Sequence, residues 1–189
     1  LVISHFDHDH VGGLSGALQG RTVDSAMVSA FPDTRPQAQQ MLETLQNSTE
    51  QLIIGNLNLT GTLGAFEWRV ISSLGEFGTS ANEASLGVTF SSSDISVVTL
   101  GDLNERAQEM IVADFHDSDK PTVVKVSHHG SADQSAEFYE RIGADVALIS
   151  VGESNSYGHP TSSALKMLEK SGSRVFRTDK DGAIALQVI

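Results

Sequence analysis

The arrangement of histidines and aspartates near the start of the chain limits its fold more than any other feature. Residues 5–10 read H-F-D-H-D-H, which places three histidines and two aspartates in six positions. The apolar residues 1–3 precede this run and indicate the end of a buried strand. Glycines at positions 12 and 13 allow a helix to pack closely against the turn. The spacing predicts that four side-chain tips converge there: His5, Asp7, Asp9 and His10.

A divalent cation explains this crowding better than a polar loop does. Neighbouring aspartates repel one another and raise each other's pKa, and a bound cation removes that cost. The chain has no cysteine, so nitrogen and oxygen atoms must supply the ligands. His8 lies out of phase with the other candidates, and we expect it to face solvent or to support a ligand.

The apolar runs predict a single layered domain over residues 1–189, with no linker and no internal repeat. Short β-rich runs dominate the first half, and strands alternate with helices in the second half. We expect strands at 25–30, 52–59, 66–71, 85–90, 95–100, 122–126, 146–151, 174–176 and 183–188. We expect helices at 12–18, 34–47, 134–142 and 161–170.

Histidines or aspartates also follow three of the later predicted strands. Asp102 comes after the strand that ends near residue 100, and His128 and His129 follow the strand at 122–126. The strand at 146–151 leads through a Gly/Ser/Asn loop to His159. Open sheets present their ligands at the carboxyl ends of their strands, so we expect these side chains to share one edge with the first cluster.

The motifs occur in a specific order: H-x-D-x-D-H at 5–10, N-E-A-S-L at 82–86, L-G-D at 100–102, S-H-H-G-S at 127–131, Y-G-H-P at 157–160 and R-T-D-K-D-G-A-I at 177–184. This set resembles the metallo-β-lactamase superfamily and, within it, the C-terminal domain of the ComEC/Rec2 competence proteins. Asp7 stands where most members of the superfamily have a second histidine. The resemblance implies a four-layer αββα sandwich that mixes α/β and α+β character. Because the superfamily normally has several strands before this motif, we also expect a fragment that lacks its N-terminal strands.

The resemblance further implies two divalent metal ions, zinc or manganese, and assigns candidate ligands. His5 and Asp7 would hold one ion, Asp9 and His10 the other, and Asp102 would bridge them. Either His128 or His129 is the first choice for the remaining ligand, and His159 is the candidate for the last position on the second ion.

Catalytic and substrate-contacting roles follow from the same resemblance. Asp9 would hold or orient the nucleophile, and whichever of His128 and His129 does not bind metal would protonate the leaving oxygen. Ser131 and Tyr157 are candidate substrate contacts.

In that family the domain accompanies a membrane channel for incoming single-stranded DNA and is expected to degrade the strand that is not taken up. The resemblance therefore implies a metal-dependent nuclease with DNA as substrate, in a soluble domain of a bacterial inner-membrane protein. Its expected partner is the channel region of the same parent polypeptide, and no soluble protein partner is identifiable.

The charge of the chain keeps two other functions open. A formal net charge of -12 argues against a broad basic surface for nucleic acid, although two divalent cations would add about four local positive charges. An acidic surface better suits a small phosphoester, such as a choline phosphate, or another ester or amide. A non-catalytic, metal-stabilised module that binds DNA or protein is the third possibility.

Overall fold

The computed structural model describes residues 1–115 and 119–187, and within them ten strands form two sheets. The smaller sheet is parallel, in the order β1-β2-β3. The larger sheet has the order β10-β9-β8-β7-β6-β5-β4, antiparallel from β4 to β7 and parallel from β7 to β10. The strands are β1 Val2–Ile3, β2 Val23–Ser29, β3 Thr49–Gly55, β4 Thr60–Leu63, β5 Phe66–Ser72, β6 Gly87–Ser91, β7 Ser96–Thr99, β8 Thr122–Lys125, β9 Val146–Ile149 and β10 Arg174–Arg177.

Helices cover the outer face of each sheet. They are α1 His8–Val11, α2 Leu14–Leu18, α3 Pro36–Ser48, α4 Glu105–Ile111, α5 Ala136–Ile142, α6 Ser162–Lys170 and α7 Thr178–Asp181. Side-chain caps start three of them: Asn104, Ser135 and Thr161 each accept a hydrogen bond from the backbone N–H three residues later. None of the described helices combines the length and the apolar character needed to cross a bilayer.

Successive side chains of a strand point to opposite faces of its sheet, and the buried apolar side chains therefore form three layers. In β2, Ala26 and Val28 pack with α1 to α3, whereas Met27 points the other way and packs against Val70 and Val88 of the larger sheet. The adjacent Ile71 faces the layer formed with α4, α5 and α6. The resulting order of helices, sheet, sheet and helices is the predicted αββα sandwich.

Most predicted elements are confirmed, and the differences have local causes. The predicted strand at 52–59 matches β3 only as far as Gly55, because the chain turns at 56–59, and β4 was not predicted. Helices α1, α4 and α7 were not expected, and α1 and α7 have only four residues each, too few to show a helical period. Residues 183–187 contain no strand, and position 188 of that prediction lies outside the described residues.

Candidate metal centre

The carboxyl ends of three strands meet at one edge of the sandwich. β1 leads into His5, β7 into Asp102, and β8 into His128 and His129. The two sheets are joined at this edge, because the N–H of Leu86 donates a 2.8 Å hydrogen bond to the carbonyl of Ser4. The fold therefore brings residues that are far apart in the sequence into one site, as the parallel strand ends predicted.

The side-chain tips form two overlapping groups of three. The first group is His5, His10 and Asp102, and the second is Asp9, His10 and His129. Within each group the candidate ligand atoms lie within 4.8 Å of one another. In the first group, Asp102 Oδ1 lies 3.2 Å from His10 Nε2, and Asp102 Oδ2 lies 3.9 Å from His5 Nε2. In the second, His129 Nε2 lies 3.1 Å from Asp9 Oδ2 and 3.3 Å from His10 Nε2.

These separations fit a cation placed between the side chains. Ligand atoms about 2.1 Å from a tetrahedral ion lie about 3.4 Å from one another, close to the distances between these atoms. In addition, His5 Nε2 is buried and has no hydrogen-bond partner among the described residues. An unpaired buried nitrogen aimed at two carboxylates is costly unless a cation joins them.

The opposite ring nitrogens of the histidines are held by oxygen atoms. His5 Nδ1 lies 3.1 Å from the hydroxyl of Ser85, and His10 Nδ1 lies 3.3 Å from the hydroxyl of Ser4. His129 Nδ1 lies 2.7 Å from the carbonyl of Ser150. Because a carbonyl only accepts, His129 must be protonated at Nδ1, and in its neutral form Nε2 carries the lone pair that a metal ligand needs.

Electrostatics favour the protonation states that metal binding requires. Burial, followed by the charge of His10, lowers the pKa of His5 to about 4, so this ring is neutral at pH 7. Burial alone would raise the pKa of Asp102, but the hydrogen bond from His10 and the charges of His10, Lys125 and His129 hold that pKa well below its usual range. Both groups are therefore deprotonated at neutral pH.

The turn at Ser127–Gly130 aims its two histidines through an unusual backbone conformation. His128 has φ of 45° and His129 has φ of 52°, both in the left-handed region that side chains rarely adopt. Buried hydrogen bonds hold the turn: Ser127 N–H donates to the Tyr139 hydroxyl at 3.1 Å, and Gln134 Nε2 donates to the Ser127 carbonyl at 3.0 Å. Such strain persists only where the surroundings impose it, and it clusters at functional sites.

The structure separates the two histidines of this turn. His129 belongs to the second group of three, whereas His128 lies at the margin, with its Nε2 3.8 Å from Asp102 Oδ2. The ring of His159 lies 5.5 Å from that of His128, and the described residues contain no group of three that includes His159. His8 is exposed and contacts Gln37 at 3.3 Å, away from both groups.

A cleft of about 250 Å³ opens beside the second group of three. Its lining includes Asp9, His129, Asn155, Tyr157 and His159. Tyr157 is 83% exposed, and its ring stacks on that of His159 with a centroid distance of 6.2 Å. The other candidate substrate contact differs, because Ser131 is buried, does not line this cleft, and contacts Gln134 through its hydroxyl at 3.3 Å.

Several residues at this edge were not predicted to take part in the site. Ser85 contacts His5 and also accepts a 3.1 Å hydrogen bond from the N–H of Asp102, so one hydroxyl joins both sheets. Lys125 donates to the carbonyl of Gly101 at 3.4 Å, and burial lowers its pKa. The sequence carries one signal for Lys125, which is a lysine inside the apolar run of β8. Ser85 lies in the N-E-A-S-L motif at 82–86, but that motif alone did not indicate a contact with His5.

Glu83 fixes the loop that carries Ser85. Its side chain is 2% exposed and accepts 2.7 Å and 2.6 Å hydrogen bonds from the N–H and hydroxyl of Thr79, together with an ion pair from Arg106. The Thr79 hydrogen bonds are the main cause that lowers the pKa of Glu83 to about 2 from the ordinary value of 4.5. A carboxylate this well satisfied stabilises the folded state while it remains ionised.

This pKa predicts a loss of stability in acid that depends on Glu83. Because the folded value lies below the unfolded one, the contribution is fully present above pH 4.5 and is lost as pH falls towards 2. At neutral pH it amounts to about 1–2 kcal/mol of the free energy of unfolding after solvent screening. Urea unfolding at pH 7, 4.5 and 3 should therefore show a shallower pH dependence for Glu83→Gln than for the wild type. Glu43→Gln, an exposed change on α3, is the control, and equal slopes in all three proteins would contradict the assignment.

Comparison with known proteins agrees with this architecture. No family model matches the chain. The chain is 27% identical over 188 residues to ComE operon protein 3 of Bacillus subtilis (strain 168) and 25% identical over 185 residues to competence protein ComA of Neisseria gonorrhoeae. Each match covers 97% of this chain but 24% of the relative, so the chain spans about a quarter of the length of these relatives. The predicted resemblance to ComEC/Rec2 competence proteins is thereby confirmed over nearly the whole chain.

Solved structures show the same fold. The metallo-β-lactamase fold protein YhfI from Bacillus subtilis superposes with a TM-score of 0.57 at 14% identity, over 93% of this chain and 72% of that one. Zn²⁺-bound PqqB from Methylobacterium extorquens gives a TM-score of 0.52 at 14% identity, over 93% of this chain and 70% of that one. The chain has the metallo-β-lactamase fold.

Proposed function

We propose that this chain is a metal-dependent hydrolase that cleaves DNA phosphodiester bonds during DNA uptake. The observation that carries the proposal is the convergence of two groups of ligand atoms at one edge of a metallo-β-lactamase fold, one of them containing a buried, unpaired histidine nitrogen. The resemblance to competence proteins supports DNA as the substrate. In this proposal the chain is part of a longer inner-membrane protein whose channel region is its partner.

The proposed ligands are members of the two groups of three, together with Asp7, which belongs to neither group. His5 and Asp7 would hold one ion, Asp9 and His10 would hold the other, and Asp102 would be shared between them. The distances support His129 rather than His128 as the next ligand of the second ion, because its Nε2 lies between Asp9 and His10. His159 remains the candidate for the last position. The donor set of imidazoles and carboxylates suits zinc or manganese, without distinguishing them.

Bound divalent cations supply two kinds of chemistry here: they lower the pKa of a coordinated water and they neutralise charge on a phosphodiester. Asp9 is 62% exposed at its side chain and lines the cleft, so it can accept a hydrogen bond from the attacking water and orient it. His128 has a partly exposed ring outside both groups, so it is free to donate a proton to the leaving oxygen. Tyr157 offers a nearby aromatic face on which a nucleobase can stack.

DNA cleavage with Mn²⁺ or Zn²⁺ tests the proposal. We expect the purified chain to degrade DNA, and we expect Asp9→Ala and His10→Ala each to reduce the rate at least about 100-fold, because each removes a proposed ligand. Asp24→Ala, at an exposed position of β2, should retain the wild-type rate. Cleavage that survives both ligand substitutions would exclude this site as the source of activity.

The same assay separates the alternative functions. A nitrophenyl phosphodiester that is turned over while DNA is not would favour a small-molecule phosphodiesterase, which the acidic surface suits. Stoichiometric metal binding without turnover of either substrate would favour a metal-stabilised binding module for DNA or protein.

A further inference from the structure

The proposed ligand Asp7 does not line the cleft of about 250 Å³, and it is held by an ion pair that the sequence did not predict. Arg35, the residue before α3, places a terminal guanidinium nitrogen 2.7 Å from Asp7 Oδ1. The remaining oxygen, Asp7 Oδ2, lies 3.7 Å from the unpaired His5 Nε2. One oxygen of this carboxylate therefore pairs with Arg35, and the other faces Nε2 of His5.

The guanidinium of Arg35 is itself fixed by Asp33. Arg35 Nε lies 2.9 Å from Asp33 Oδ1 and 3.1 Å from Asp33 Oδ2, and the backbone N–H of Arg35 donates to Oδ1 at 3.1 Å. Asp33 is 7% exposed, and its carbonyl accepts a hydrogen bond from the side chain of Gln39 in α3. The Arg35 nitrogen that reaches Asp7 also lies 2.5 Å from Asp33 Oδ2, so this buried carboxylate sets its position.

Asp7 needs such a support more than a histidine at the same position would. Its side chain is 30% exposed beside an open cleft of about 400 Å³, which gives an unsupported carboxylate room to turn towards solvent. The carboxylates of Asp9 and Asp102 also belong to the same site, and like charges there disfavour a third ionised aspartate. The guanidinium of Arg35 relieves both difficulties, because its positive charge lies 2.7 Å from one carboxylate oxygen and this ion pair restrains the side chain.

We propose that Arg35, anchored by Asp33, is a positioning residue that holds Asp7 as a ligand of the first metal ion. The inference rests on the metal site of the proposed function, but not on DNA being its substrate. Arg35 does for a carboxylate ligand what a hydrogen-bond acceptor does for a ligand histidine: it fixes the orientation of the donor atom.

Calorimetric titration of the metal-stripped chain with Mn²⁺, and separately with Zn²⁺, tests this role without any substrate. In Arg35→Ala we expect the affinity of one ion to fall about 10- to 100-fold, while the affinity of the other changes less than about twofold. Arg35→Lys should recover part of the loss, because it keeps the charge but not the planar fork. Arg21→Ala, which removes an exposed arginine that contacts only α2 carbonyls among the described residues, is the matched control.

A double substitution decides whether Arg35 acts through Asp7. If it does, Arg35→Ala in an Asp7→Ala background should cause no further loss of affinity. Thermal unfolding of the metal-free variants identifies any that are unfolded, and Arg35→Lys keeps the comparison available if Arg35→Ala does not fold. Unchanged or tighter binding by Arg35→Ala, or fully additive losses in the double variant, would overturn the inference.

The outcomes also distinguish this inference from the proposed nuclease. A wild-type chain that binds no cation overturns the metal site and the role of Arg35 together. A wild-type chain that binds two cations but cuts no DNA overturns only the nuclease, and the affinities of the Arg35 variants still decide the inference.

Discussion

Asp102→Asn should reduce hydrolysis by the chain at least about 1,000-fold, which corresponds to about 4 kcal/mol of lost transition-state stabilisation. Asp102 is 3% exposed and contacts His5, His10, His128 and His129 through its two oxygens, so no other carboxylate among the described residues reaches as many proposed ligands. Asparagine keeps the shape of the side chain but removes the charge that would join two cations. Metal content should fall together with the rate.

The control for Asp102 makes the same chemical change far from the site. Asp94→Asn lies in the exposed turn between β6 and β7 and should leave both the rate and the metal content unchanged. Rates should be measured at saturating Mn²⁺ or Zn²⁺, with unfolding followed in parallel to identify loss of the fold. An Asp102→Asn protein that is folded and retains more than a tenth of the wild-type rate would contradict a bridging role.

Gly101→Ala should lower the free energy of unfolding by about 2–4 kcal/mol, because it adds both backbone strain and a steric clash. Gly101 has φ of +54°, and a Cβ atom there would lie 2.7 Å from the Cβ of Ser4 and 2.8 Å from the Cβ of Ser85. Ser4 and Ser85 lie at the ends of strands from different sheets, and each contacts a proposed ligand histidine. Neither serine can therefore move away from the new methyl group without disturbing the site.

A second glycine separates the two causes of this destabilisation. Gly143 has φ of +56°, but a Cβ atom there would meet nothing within 4 Å. Gly143→Ala should therefore show only the conformational cost, about 1 kcal/mol, while Gly101→Ala shows that cost and the clash. Urea unfolding of both variants gives the comparison. Equal destabilisation of the two proteins would show that the contact between the sheets tolerates a methyl group.

The parts of the fold and site that follow from the sequence are those governed by local pattern. The strand before His5 and the strand before Asp102 were visible as apolar runs that end at ionisable residues, and parallel strands bring such ends to one edge. Helix α6 was visible from its periodicity, its capping threonine and Gly172 beyond its end. In each case the neighbouring residues alone determine the element.

The parts that could not be predicted depend on contacts between distant segments. Ser85 reaches His5 across 80 positions, and Arg35 reaches Asp7 only because α3 packs over the start of the chain. The left-handed backbone of His128 and His129 is imposed by a buried network that includes Tyr139, and no propensity favours it locally. An ordinary serine, arginine or tyrosine carries no sign of such a partner in the sequence.

The strained histidine turn also bears on when the site takes its shape. Three buried hydrogen bonds made by Ser127 hold this backbone: its N–H donates to the Tyr139 hydroxyl, its hydroxyl donates to the carbonyl of Leu103, and its carbonyl accepts from Gln134. The cost of the left-handed backbone is therefore offset by contacts that form during folding. The directions of the His128 and His129 side chains are thus set when the core packs.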